Sequence, residues 1–117
     1  MIAFNIKMYQ LNYNEIQFYI TEPVDLSKFN YFSKGSIIYL LNEQLHREDG
    51  PAVEYPNGAK QWYINDQLHR EDGPAVEYSS GRKEWYINGK LIDPSKNSVN
   101  ELKIKLQELL DIVNEMN

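Results

Sequence analysis

The sequence predicts an α+β protein: an antiparallel β-meander of repeated hairpins, opened by an N-terminal hairpin and closed by a C-terminal amphipathic helix. Three observations predict it. Residues 45–67 and 68–90 align with 17 identities in 23 positions, and the eleven residues LHREDGPAVEY occur unchanged in both copies. Within each copy, short runs rich in branched and aromatic residues are separated by turn residues. Beyond residue 97, apolar side chains recur every three or four positions, the period of one helix face. A lone hairpin is not stable in water, so units repeated at a fixed period of 23 residues must pair with their neighbours into one sheet.

The elements follow in chain order within a single domain, 1–117, made of a hairpin and connector (1–34), the repeats (35–92) and the helix (98–116). Ile2, Phe4, Ile6 and Met8 alternate with less apolar neighbours, as do Ile16, Phe18 and Ile20, and Asn12–Asn14 supply a turn between the two strands. After Pro23, Asp25 caps a short helical turn through LSKFNYF. GSIIYLLNEQ (35–44) stands in register with GAKQWYINDQ (58–67) and is half a copy. In the full copy, PAVEY (51–55) and AKQWYI (59–64) are strands joined by PNG. Asn65-Asp66 then turns the chain into QLHREDG, and Asp49-Gly50 offers a residue able to take a positive φ. Ser98 and Glu101 fit a capping box before Val99, Leu102, Leu106, Leu109, Leu110, Val113 and Met116. That stripe must be covered, by a face of the protein's own sheet or by a partner or homodimer helix.

Composition narrows the function. The formal charge of −5 is spread as −1 over 1–44, −2 over 45–90 and −2 over 91–117. With no Lys/Arg-rich run, neither the nucleic-acid backbone nor an anionic membrane is an expected partner. No apolar stretch approaches a membrane span and no leader pattern opens the chain, so a cytoplasmic protein is expected. The chain has no cysteine, which removes disulfides and thiolate metal sites.

WYINGKL (85–91) and WYINDQLHREDGPA (62–75) resemble MORN-type repeats, and more closely the W-Y-x-N-G-K-L-H-R-x-D-G-P-A variant found in viral and bacterial proteins. The resemblance covers residues 35–92. Arg47 and Arg70 stand where classical members have glycine after the histidine, and the first hairpin keeps only IIYLLNEQ. The resemblance implies β-hairpin units and mostly non-catalytic work, as scaffolds, as surfaces for proteins or lipids, and as antitoxins.

Candidate chemistry is sparse. His46 and His69, each inside HREDG, occupy equivalent places in successive copies, so two strand spacings, about 10 Å, separate them in a flat meander. That is too far for one metal, and each is read as packing beside a neighbouring aromatic and bonding a loop carbonyl. No nucleophile or phosphate-binding loop accompanies them, so no catalytic residue, metal or cofactor is expected. Arg47 with Asp49, and Arg70 with Asp72, suggest local forks that fix the loop; alternatively the two arginines grip an acidic partner. Strand alternation puts Tyr63 and Tyr86 opposite Trp62, Ile64, Trp85 and Ile87. With the tryptophans inside, Tyr63, Tyr86, Tyr55 and Tyr78 form a ladder on the solvent face, suited to binding protein. The expected function is a non-catalytic, protein-binding inhibitor or regulator, of the kind a phage or mobile element uses against host defence, such as an anti-CRISPR acting on a defence nuclease. The alternatives are a MORN-type antitoxin masking a toxin and, third, a histidine-based hydrolase or nuclease. A homodimer through residues 98–116 or a sheet edge is compatible with each.

Overall fold

The structure, a computed structural model, describes residues 7–92 and 94–116, with side-chain surroundings for 7–92 and 102–116. It is mostly β-sheet with one C-terminal helix, measuring 61 × 43 × 18 Å. The strands are β1 (Tyr9–Tyr13), β2 (Ile16–Ile20), β3 (Ile37–Leu41), β4 (Gln44–Leu45), β5 (Val53–Glu54) and β6 (Lys60–Gln61). They continue as β7 (Tyr63–Ile64), β8 (Gln67–Leu68), β9 (Val76–Glu77), β10 (Lys83–Ile87) and β11 (Lys90–Ile92), before helix α1 (Pro94–Glu115).

Asparagine sets the tight turns. Asn14-Glu15, Asn42-Glu43, Asn65-Asp66 and Asn88-Gly89 each have positive φ at both residues. This is the geometry of a two-residue hairpin turn, and asparagine tolerates it better than other side chains. The first of these turns moves the N-terminal hairpin from its expected place. Its turn is Asn14-Glu15 rather than Asn12–Asn14, and Asn12 and Tyr13 belong to β1, opposite Gln17 and Ile16. Met8 is exposed, while Ile2, Phe4 and Ile6 lie outside the described residues.

The main sheet runs β1-β2-β3-β5-β6-β9-β10-β11. It is antiparallel throughout except between β2 and β3, which pair in parallel, so the sheet is not a pure meander. The parallel pair needs a crossover, and residues 21–36 supply it. Asp25 Oδ1 accepts from Ser27 N–H at 3.0 Å, capping a 3₁₀ turn over Leu26–Phe29 as expected. The crossover then carries Phe29 and Phe32 down onto one face of the sheet. Each repeat holds two hairpins rather than one. Tyr55 to Ala59 closes β5–β6 within the main sheet, β3–β4 and β10–β11 are short hairpins attached to it, and β7–β8 forms a separate two-stranded sheet.

Register decides which face is inside. Phe18, Ile38, Val53, Gln61, Val76 and Glu84 lie across from one another in successive strands, and so share a face. Phe18, Ile38 and Val53 on this row are wholly buried with Ile16 and Leu40, beneath Phe29 and Phe32. Full burial of each such side chain stabilises the fold by roughly 1.5–3 kcal/mol. The neighbouring row, Gln17, Ile37, Glu54, Lys60, Glu77 and Lys83, points the other way. Its last four members alternate in charge, which suits an open face.

The tyrosine and tryptophan faces are therefore the reverse of those expected. Tyr55 and Tyr63 pack against the buried cluster, and their hydroxyls donate to Gln61 Oε1 at 3.3 and 3.4 Å. Trp85 follows Lys83 by two residues along β10 and shares the open face with it. The reason is the crossover: both faces carry aromatic residues, and the one that receives Phe29 and Phe32 becomes the core.

Helix α1 starts at Pro94, four residues before the expected capping box, since proline is favoured in the first turn where its missing N–H costs nothing. Ser98 and Glu101 lie within the helix, and their side chains are outside the described set. The sheet does not cover the apolar stripe. Leu102, Leu106, Leu109, Leu110 and Val113 each leave 55–61% of their surface exposed. No helix of the described residues is long and apolar enough to cross a membrane.

Candidate functional site, a groove between the repeated loops

The unchanged segment LHREDGPAVEY builds one structure twice, and nearly every side chain in it has a partner. His46 Nδ1 accepts from the N–H of Asn65 at 3.1 Å, and His69 Nδ1 accepts from the N–H of Asn88 at 3.0 Å. Each histidine thus tethers the tight turn that follows it, 19 residues on. The sequence reading had it bonding a carbonyl; instead the ring is an acceptor, which places the neutral imidazole's proton on Nε2. Nε2 lies 3.6 Å from Glu48 in the first loop and 3.5 Å from Glu71 in the second. Two more backbone bonds join the same loop and turn. Arg47 N–H donates to Tyr63 O and Asp66 N–H to Leu45 O; Arg70 N–H to Tyr86 O and Gly89 N–H to Leu68 O repeat them.

The arginines form the local forks. Arg47 Nε donates to Asp49 Oδ1 at 2.9 Å and Nη1 to Pro51 O at 3.2 Å; the Arg70 bonds to Asp72 and Pro74 are 3.1 and 3.0 Å. The Arg47 guanidinium, by its hydrogen bond and its charge, holds the Asp49 carboxyl below its ordinary pKa. Each guanidinium also sits over an aromatic ring of the open face. Arg47 sits 3.9 Å above Tyr39 and Arg70 4.0 Å above Trp62. Tyr19 stacks on Tyr39 in turn, 4.5 Å away and nearly parallel.

This packing explains Gly50 and Gly73. Neither has a positive φ, so the expected conformational role of Gly50 does not apply. A Cβ at Gly50 would stand 2.8 Å from Arg47 Cζ, and one at Gly73 2.9 Å from Arg70 Cζ. Glycine is there to admit the guanidinium.

Between the two loops the open face forms a groove of about 670 Å³. Trp62 and Ile64 floor it, and Arg47–Gly50 and His69–Asp72 wall it. Glu48, Asp49, Glu71 and Asp72 form the rim, with 83–88% of each side chain exposed. Four carboxylates against two guanidiniums give the groove a net charge of −2 (2 − 4). Arg47 and Arg70, only 23 and 24% exposed, are committed to their own loops.

Of the residues expected to bind a partner, Arg47 and Arg70 meet in this groove, while Tyr55 and Tyr63 face the core. Tyr86 is half-buried, and Tyr78 is exposed with its hydroxyl donating to Glu84 at 2.8 Å. The sequence reading did not include Trp62, Ile64 and the carboxylate rim in a site. A signal for the stacked floor was present: an arginine follows the open-face aromatic by eight residues in both units, Tyr39/Arg47 and Trp62/Arg70. Among the described residues no three His, Asp or Glu side chains come together as metal ligands. Comparison of the chain with protein-family models, with curated proteins and with solved structures finds no match.

Proposed function

We propose that this protein is a non-catalytic, protein-binding module of stacked, MORN-like 23-residue units that inhibits or regulates its partner by stoichiometric binding. The observation that carries the reading is the acidic rim of the loop groove. Four exposed carboxylates are set at matching positions in successive units, over a floor whose Trp62 ring carries the Arg70 guanidinium at 4.0 Å. A preorganised rim loses little conformational entropy on binding, and its charge favours a basic surface. The fitting partner is a protein with a basic groove, such as the nucleic-acid channel of a host defence nuclease. Arg47 and Arg70 then act by positioning the rim rather than by gripping an acidic partner.

Glu48→Lys with Glu71→Lys tests this. Both side chains are exposed, so the melting temperature should hold while charge complementarity reverses. A partner captured by the native protein and inhibited at a 1:1 ratio should be released by the variant, and native binding should weaken as salt rises. Equal inhibition by the folded variant would refute the role of the rim. A partner encoded beside this chain and toxic without it would mark the antitoxin form of the same binding function.

A further inference from the structure

We infer that helix α1 is a self-association element that pairs antiparallel with the α1 of a second copy of this chain. Leu102, Leu106, Leu109, Val113 and Met116 are spaced four, three, four and three apart, a strict 3.5-residue repeat, which is the seam of a two-stranded coiled coil. These side chains leave 55–80% of their surface exposed, so nothing among the described residues covers the seam. The 22-residue helix is about 33 Å long, and a stripe of that length exposes several hundred Å², about what each side contributes to a small stable interface.

Charge selects the occupant and its direction. Residues 94–105 carry three lysines and one glutamate, while 106–117 carry three carboxylates and no base. This polarity opposes the helix's own dipole, which favours acid at the N-terminus and base at the C-terminus. Alone, the helix is therefore electrostatically strained as well as apolar. An antiparallel second copy lays the basic half of each helix along the acidic half of the other and opposes the two dipoles. A parallel copy would set lysine against lysine. The protein's own sheet leaves these leucines exposed, and its open face carries Glu54, Lys60, Glu77 and Lys83 among its aromatic residues. An anionic lipid surface would repel the acidic half.

The chain has no cysteine, so introduced thiols report the geometry cleanly. Centring the antiparallel pair between Leu106 and Leu109, so that Leu106 of each copy faces Leu109 of the other, sets Leu102 beside Val113 of the other copy. Equilibrium sedimentation of the full chain should give twice 13.8 kDa, and Leu106→Asp should give 13.8 kDa with unchanged tryptophan fluorescence. Leu102→Cys and Val113→Cys proteins should form a disulfide with each other when mixed and oxidised, and neither with itself. A native chain that stays monomeric up to its solubility limit overturns the inference. So does self-linking of either cysteine variant alone, or a monomer that binds anionic vesicles through α1.

Discussion

Alanine at Gly73 should destabilise the protein when Arg70 is present and stabilise it slightly when Arg70 is absent. Gly73 has an ordinary φ, so its backbone accepts any L-residue, and the only obstacle is the guanidinium 2.9 Å from the new Cβ. To restore normal contact the guanidinium must move by about half an ångström. That lifts it from Trp62, where a partly desolvated cation–π contact is worth roughly 0.5–2 kcal/mol. It also strains the bonds to Asp72 and Pro74 O, of which the buried-side carbonyl bond matters more than the exposed ion pair. Together these give a cost of about 1–2 kcal/mol, within the range of such losses. In an Arg70→Ala background the obstruction is gone, and alanine for glycine should then add about 0.4–1 kcal/mol by restricting the unfolded chain. Urea unfolding of the four proteins, followed by tryptophan fluorescence, measures the cycle. An identical cost for Gly73→Ala in both backgrounds would show that the glycine serves the backbone and not the arginine.

The inverted faces predict that Tyr63→Ala destabilises more than Trp62→Ala, by about 2–4 against 1–2 kcal/mol, because only Tyr63 packs on the core; the opposite order in urea would refute the face assignment. His46→Ala should cost about 0.5–1.5 kcal/mol by removing the bond to the Asn65 N–H, and His46→Asn, which offers an acceptor, should recover part of it. Burial pushes the Tyr55 and Tyr63 phenols above their ordinary 10.0. The unfolded chain then loses those protons first, so stability is unaffected below about pH 10 and falls as pH rises through the folded values. The urea midpoint should decline once the pH passes about 10, less steeply in Tyr63→Phe, and a flat midpoint in both proteins would refute the linkage.

Much of the local structure was legible in the residues. The Asn-X turns, the Asp25 cap and the branched runs between them are chosen by the φ preferences of one or two residues, so a single sequence displays them. The arginine forks were legible for the same reason, since Arg47 and Asp49 are two residues apart and meet whatever surrounds them. The repeat likewise pointed to hairpins, because eleven unchanged residues in sequence imply the same local contacts made twice.

Faces and partners were another matter. Trp62 and Tyr63 are adjacent, aromatic and equally plausible in a core, and nothing local decides between them. The choice is made by Phe29 and Phe32, which arrive from a crossover some 30 residues upstream and exclude water from the tyrosine side only. The parallel pairing of β2 with β3 has the same origin, since the crossover returns the chain in the direction it came from. For Gly50 the Asp49-Gly50 pair suggested a backbone role, and only the guanidinium standing where a Cβ would reach, at Gly50 and again at Gly73, revealed a steric one. The sequence by itself thus determined the hairpins and the helix, which depend on neighbours along the chain, and misplaced the first turn by two residues. Tertiary structure alone decided which face is core, where the groove opens and that the helix stripe is left bare, because those depend on which distant surface removes water from each side chain.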